Sequence, residues 1–270
     1  MKLIALLLLQ NIVFPQQPNI SLEVTTSSIQ KPWAFIAPHE NEHIVNDYVA
    51  QKILQHGGVF VILRQHGKRH IQLSVNGKQY EADPNRIFTN KGRIATLRRL
   101  NEELALDSHD YKKALYKLKA LSDFILNTMR AKTASSWIAI HNNTDGYDDD
   151  GKNGRGTISI KRYQKKLDER AKYLIDVFDA GKDEDDLFFI TETDDLDIMS
   201  DAKFNTVLQN PAVSTDPNED DGSLSVLAEM QDKRYINVEA ERSDNGFGSD
   251  HVAEQQEMVD LTFKILTSTR

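Results

Sequence analysis

Short runs that are almost wholly apolar recur along this chain, and they constrain its fold more than any other feature. "KPWAFIAP" (Lys31 to Pro38), "VFVILRQ" (Val59 to Gln65), "SSWIAIH" (Ser135 to His141) and "DLFFIT" (Asp186 to Thr191) are too short for helices. Their β-branched and aromatic content predicts buried strands. Longer stretches with helical spacing separate them. "HIVNDYVAQKILQHGG" carries Ile44, Tyr48, Ile53 and Leu54 at that spacing and stops at Gly57-Gly58. Residues 95–131 are helical, in two pieces meeting near Asp107 to His109. "HIQLSV" is a further strand, followed by a tight "NGK" turn. "TISI" reads as a short strand, and residues 161–181 contain a helix. "FNTVLQ" and "YINVEAE" are strands, the second with alternating faces. "SDHVAEQQEMVDLTFKILT" is a closing helix capped by Ser249 or Asp250. Strands alternating with helices predict an α/β fold, with one central mixed, mostly parallel sheet and helices on both faces.

No linker rich in Pro, Gly or Ser divides the chain, so residues 20–270 are expected to form one domain. Ahead of it, "MKLIALLLLQNIVFPQQPN" carries Lys2 and an unbroken apolar run from Leu3 to Leu9. That run is too short to span a membrane. It predicts a secretory signal peptide over residues 1–19, and hence a secreted or periplasmic protein with no membrane span in the mature chain. The competing reading is a buried first strand or helix. Apolar residues make up 39% of the chain and charged residues 27%, a balance that supports a substantial core. The net charge of −8, with no basic block, argues against nucleic acid as a partner. The absence of cysteine rules out disulfides and thiolate ligands, so any metal site must use His, Asp and Glu.

"PHENEH" (Pro38 to His43) holds two metal motifs in overlapping register. As H-E-x-x-H, His39 and His43 bind metal and Glu40 is the base, all on an established helix. As H-x-x-E, His39 and Glu42 bind it. Pro38 and the strand before it favour the second, because open α/β sheets place ligands at the carboxyl ends of strands. Farther on, "YEADPNRIFT" sets Asn85 beside Arg86, a pair suited to holding a carboxylate, although on these residues alone an Asp-Pro turn with a structural salt bridge is the better reading.

Four motifs occur in order: H-E-N-E from His39, D-P-N-R-I-F from Asp83, a strand-terminal A-I-H ending at His141, and I-N-V-E-A-E from Ile236. Together they resemble the zinc carboxypeptidases, most nearly the aspartoacylase and succinylglutamate desuccinylase branch, over residues 33–265. The resemblance implies a zinc carboxypeptidase-like fold, with Zn2+ held by His39, Glu42 and His141. It implies Glu239 as general base and Asn85 with Arg86 as binders of a substrate carboxylate. Glu241 shares a strand face with Glu239, so alternation leaves the two open; the family register selects Glu239. The resembled pattern has an arginine seven positions before the asparagine, where this chain has Lys78; Arg69 or Arg93 could substitute for it.

The expected activity is amide hydrolysis next to a free carboxylate. The expected substrate is a small peptide, an acyl amino acid or a peptidoglycan fragment. The alternatives are an N-acyl amino acid deacylase and a catalytically silent peptide- or carbohydrate-binding protein on the same scaffold. His43, His56, His66, His70, His109 and His251 read as ordinary surface or loop histidines. "DGYDDDGKNG" (Asp145 to Gly154) is similar to a calcium loop but lacks its closing glutamate, and reads as a solvated loop.

Overall fold

The apolar runs become the centre of one sheet. The computed structural model describes residues 8–102, 105, 108–146, 156, 158–244 and 248–268. In chain order it begins with β1 (Leu8–Val13), β2 (Ser21–Thr26), β3 (Trp33–Ala37), α1 (Asn46–His56) and β4 (Val59–Arg64). A hairpin of β5 (Ile71–Val75) and β6 (Lys78–Ala82) follows, then α2 (Asn90–Leu100), α3 (His109–Thr128) and β7 (Ser136–Thr144). The last part holds α4 (Ile160–Asp168), β8 (Leu174–Phe178), β9 (Leu187–Ile190) and α5 (Thr193–Asp201). It closes with β10 (Asn205–Gln209), α6 (Leu224–Met230), β11 (Arg234–Arg242) and α7 (Val252–Thr267).

Nine strands form the main sheet in the order β1-β2-β4-β3-β7-β11-β9-β10-β8. The four central strands β4, β3, β7 and β11 run parallel, and antiparallel pairs flank them on both sides. Side chains alternate between two cores. Trp137 and Ala139 of β7 join a cluster with Leu97 of α2 and Leu118, Leu121 and Ile125 of α3. Ile138 and Ile140 join a second cluster with Val49 and Ile53 of α1 and Met258 and Val259 of α7. Helices therefore cover both faces, which is why the central strands read as continuous apolar runs.

The connections put a crevice at a defined place. From the carboxyl end of β3 the chain passes through α1 to β4 on one side. From the carboxyl end of β7 it passes through α4 to β8 on the other side. Adjacent strands whose connections diverge leave an opening between them at their carboxyl ends. The sequence segments that resemble a metal site end at β3 and β7.

Several local expectations change. The "TISI" segment is not a strand where it is described: Ile158 and Ser159 are irregular, and α4 begins at Ile160. The stretch after α4 holds an unexpected strand, β8, only partly buried at a sheet edge. β11 is buried on both faces along most of its length, so it is not a solvated strand. The cap of α7 is His251, with no side-chain hydrogen bond. Asp250 instead accepts hydrogen bonds from the Ser243 amide at 2.8 Å and its hydroxyl at 3.1 Å. Of the expected leader, residues 8–13 pair with β2, and Phe14 is buried against Phe124 with ring centroids 5.5 Å apart. No helix among the described residues is long and apolar enough to cross a membrane.

Candidate metal centre and its crevice

Pro38 ends β3, and the chain then makes a turn closed by the Glu42 amide on the His39 carbonyl at 3.0 Å. The turn, rather than a helix, brings the side chains of His39 and Glu42 together; α1 begins only at Asn46. Glu42 Oε2 lies 2.9 Å from His39 Nδ1 and 2.8 Å from His141 Nδ1. The imidazole rings are 5.0 Å apart at 62°. All three residues are buried, at 1%, 1% and 3% exposure. His43 is exposed, and Glu40 accepts from the Gly67 amide at 2.7 Å, so the H-E-x-x-H register is not assembled.

The surroundings fix this trio. His39 Nε2 donates to Asp83 Oδ1 at 3.1 Å, which leaves its Nδ1 lone pair for a metal. The same Asp83 oxygen accepts the Asn85 amide at 2.9 Å and caps the 3-10 turn of Pro84–Arg86. Burial would raise the Asp83 carboxyl, but His39 and Arg86 hold it far below the usual carboxylate range. Burial opposes ionisation of Glu42 as well, and the two imidazoles outweigh it, so its pKa lies well below normal. The Arg69 guanidinium contacts Glu42 Oε1. Gln255 of α7 donates to the His141 carbonyl at 2.8 Å and thereby ties α7 to β7 at the site.

Two imidazoles and a carboxylate are the donor set of a catalytic zinc site with an open position. His39 Nδ1 is buried without a hydrogen-bond donor, and it and His141 Nδ1 converge on the same Glu42 oxygen, so both nitrogens face one point. The residues therefore fit the ion that the motifs imply.

Glu239 stands beside His141 in strand register, β11 next to β7. Asn237 Nδ2 donates to Glu239 Oε1 at 3.0 Å. Burial, foremost, raises the Glu239 pKa, and Glu42 adds to the rise. Glu239 lines a cavity of about 580 Å³ together with Asn85, Arg86, Tyr163, Tyr235 and Asn237. Arg86 Nη1 meets Asp221 Oδ2 there at 2.5 Å. The turn that carries Arg86 lies against the segment holding Asp221 because Gly92 and Gly222 cross in contact. A Cβ on Gly92 would fall 2.2 Å from the Gly222 Cα and 2.5 Å from the Arg86 carbonyl oxygen.

Thus His39, Glu42, His141 and Glu239 come together, with Asn85 and Arg86 in the adjoining cavity. Lys78 does not join them. It is exposed at the tip of the β5–β6 hairpin, opposite Val75. Asp83 lies five positions farther on, about 16 Å along the strand. Arg93 is buried and donates to the Ile87 carbonyl at 2.7 Å. Arg69 is the one of the three cations in contact with the trio. Sequence reasoning gave no role to Asp83 or Asn237. Strand alternation placed Asn237 on the face of Glu239, but only the fold shows that Asp83 reaches His39. His251 is not an ordinary loop histidine: its Nδ1 pairs with Asp186 Oδ2 at 2.8 Å. The calcium-like stretch lies outside the described residues except for Asp145 and Gly146.

No family model matches the chain, and no curated protein matches it in sequence. Solved structures resemble it in chain path at low identity. Bovine thrombin-activatable fibrinolysis inhibitor, in complex with tick carboxypeptidase inhibitor, is 10% identical with a TM-score of 0.46, covering 97% of this chain and 89% of that one. The apo cell shape determinant protein Csd4 from Helicobacter pylori is 12% identical with a TM-score of 0.42, covering 96% and 53%. A succinylglutamate desuccinylase/aspartoacylase from Rhodobacter sphaeroides is 10% identical with a TM-score of 0.38, covering 96% and 64%.

Proposed function

We propose that the chain is a zinc-dependent amide hydrolase that cleaves an amide next to a free carboxylate. The observation that carries this reading is the meeting of His39, Glu42 and His141, with Glu239 beside His141 and lining a cavity that also presents Arg86. Zinc held by the trio would supply Lewis-acid chemistry to the scissile carbonyl and to water. Glu239 takes a proton from the attacking water and passes it to the leaving nitrogen. Its raised pKa makes it a stronger base than a solvated carboxylate. Arg86, with Asn85, binds the substrate carboxylate by displacing Asp221. Arg69 supplies the positive charge expected of the Lys78 position. The cavity suits a small peptide, an acyl amino acid or a peptidoglycan fragment.

Export is a separate proposal that rests on Lys2 and the Leu3 to Leu9 run, whereas the pairing of residues 8–13 with β2 and the burial of Phe14 favour the competing reading of a first strand kept in the folded chain. Sequencing the N-terminus of protein from its native host checks it, and a chain that begins at Met1 counts against export. The function itself is tested by metal analysis of the purified protein and a screen of N-acyl amino acids and cell-wall peptides. The expected result is about one zinc per chain. Turnover should be lost on chelation and restored by zinc. A protein that takes up no zinc, or a zinc-loaded protein that hydrolyses none of these amides, contradicts the reading.

A further inference from the structure

Two residues beyond Glu239, on the same face of β11, Glu241 approaches Asp145 at the end of β7 and Asp185 just before β9. One carboxylate oxygen from each of the three lies within 4.8 Å of those of the other two. Asp185 and Glu241 are almost wholly buried. Each accepts one backbone amide: Asp185 Oδ2 from Gly146 at 2.5 Å and Glu241 Oε1 from Ser249 at 2.6 Å. Asp185 Oδ1 is buried and accepts no hydrogen bond. Asn143, opposite Glu241 in the β7–β11 register, donates through Nδ2 to the Asp185 carbonyl at 2.7 Å. Its Oδ1 is also buried without a donor. Gly248, at φ 66°, lets the backbone close over the cluster; a Cβ there would lie 2.4 Å from Glu241 Oε1 and 2.6 Å from Asp145 Cβ.

The positive charge that faces these acids is already engaged. His251 Nδ1 pairs with Asp186 at 2.8 Å, and its Nε2 stands 3.6 Å from Glu241 Oε2. Asp183 and Glu184 add negative charge from the same turn. Burial, and then these neighbours, hold the Asp185 carboxyl up to about 8. Buried carboxylates this close need either a shared proton or a cation. Two orphaned buried oxygens, in a set made only of oxygen donors, favour the cation, and a hard one.

We propose that Asp145, Asp185 and Glu241, joined by the Asn143 amide oxygen, bind a divalent cation of the calcium class. The ion joins the ends of β7 and β11 to the turn before β9, two residues along β11 from Glu239. None of its ligands belongs to the His39–Glu42–His141 centre, so the site stands or falls separately from the hydrolase reading.

The test uses the full chain, stripped of metal, resupplied with one equivalent of zinc and titrated with calcium chloride. Calorimetry is expected to give one calcium site per chain. At a hundredfold excess over Kd, the Tm should rise by about 5–10 °C. Asp185→Asn and Glu241→Gln keep the side-chain volume and should lose the rise, whereas His39→Ala should keep it. Asp145→Asn, at a more exposed position, serves if the buried variants do not fold. Three results overturn the proposal: no calcium response in the wild type, a rise of equal size in the cluster variants, or a rise lost in His39→Ala. The first would mean that the acids are held together by a shared proton.

Discussion

Glu239 faces the cavity from the strand position beside His141, and it is not one of the converging ligands. Its role therefore separates from metal binding. Glu239→Gln is expected to lower kcat by at least about a hundredfold, the loss of a general base, while zinc stoichiometry holds. Glu241→Gln should change kcat little, because its carboxylate meets the Ser249 amide rather than the cavity. Kinetics and zinc content on both variants decide the point; full activity in Glu239→Gln removes the base from the mechanism. The Arg86–Asp221 pair gives two changes of opposite sign. Arg86→Ala removes a paired charge contact worth about 2 kcal/mol, which raises KM roughly thirtyfold. Asp221→Asn frees the guanidinium and should lower KM for a substrate with a free carboxylate. Measuring KM with such a substrate tests both, and equal shifts in the two variants would argue against a carboxylate at Arg86.

Elements, rather than single side chains, set the position of Arg86. The turn after β6 is capped by Asp83 and wedged against Gly222 by Gly92. Gly92→Ala drives a methyl group into backbone, which side-chain rotation cannot relieve. It is expected to lower Tm and raise KM together, whereas a surface change such as Lys91→Ala should leave KM alone. A second element-level test concerns α5. Asp195 of α5 is fully buried and accepts from Arg234 Nε of β11 at 2.7 Å. Asp195→Ala leaves a largely buried guanidinium without this partner and should destabilise by about 3 kcal/mol. Chemical denaturation measures the loss. β1 gives a third. Phe14 is buried, and Lys117 reaches back to the Gln16 carbonyl at 3.2 Å. Deleting residues 1–19 removes these contacts and an edge strand, so Tm should fall by several degrees. An unchanged Tm would show that the sheet does not depend on β1.

Across the whole molecule, two groups of acids oppose each other as pH changes. Asp185, Asp186 and Glu241 are raised, chiefly by burial. The folded state binds protons there that the unfolded chain has released, so stability falls as pH rises from about 4 through the folded values. For Asp185 that value is about 8. His251 acts in the same direction: burial would lower it, Asp186 and Glu241 raise it, and its contribution disappears as pH climbs through the raised value. Glu42 and Asp83 are depressed despite burial, so their contribution is present above the ordinary carboxylate range and lost as pH falls. Metal-free protein is therefore expected to have its highest Tm near about pH 4–5, with a decline that runs to about pH 8. Asp185→Asn should flatten that decline. A Tm that climbs steadily from pH 7 to 9 would contradict the assignment.

The central sheet and both helical layers are legible in the sequence because strands buried on both faces read as near-continuous apolar runs, as β3 does throughout and β4 does up to Arg64. The edges are not legible: β8 is half-exposed and carries no distinct pattern. Motif order identified His39, Glu42, His141 and Glu239, and local rules showed that Pro38 places His39 at a strand end. Counting along the chain points to Lys78, but the β5–β6 hairpin carries that residue away from the site. The contacts of Asp83 with His39, Arg69 with Glu42, and Asp185 with Glu241 join residues 44, 27 and 56 positions apart in sequence. Local pattern governs what one strand, turn or helix does, because propensity and periodicity act over a few residues. Which strand ends become neighbours follows from sheet order, and only packing of the complete chain sets that order.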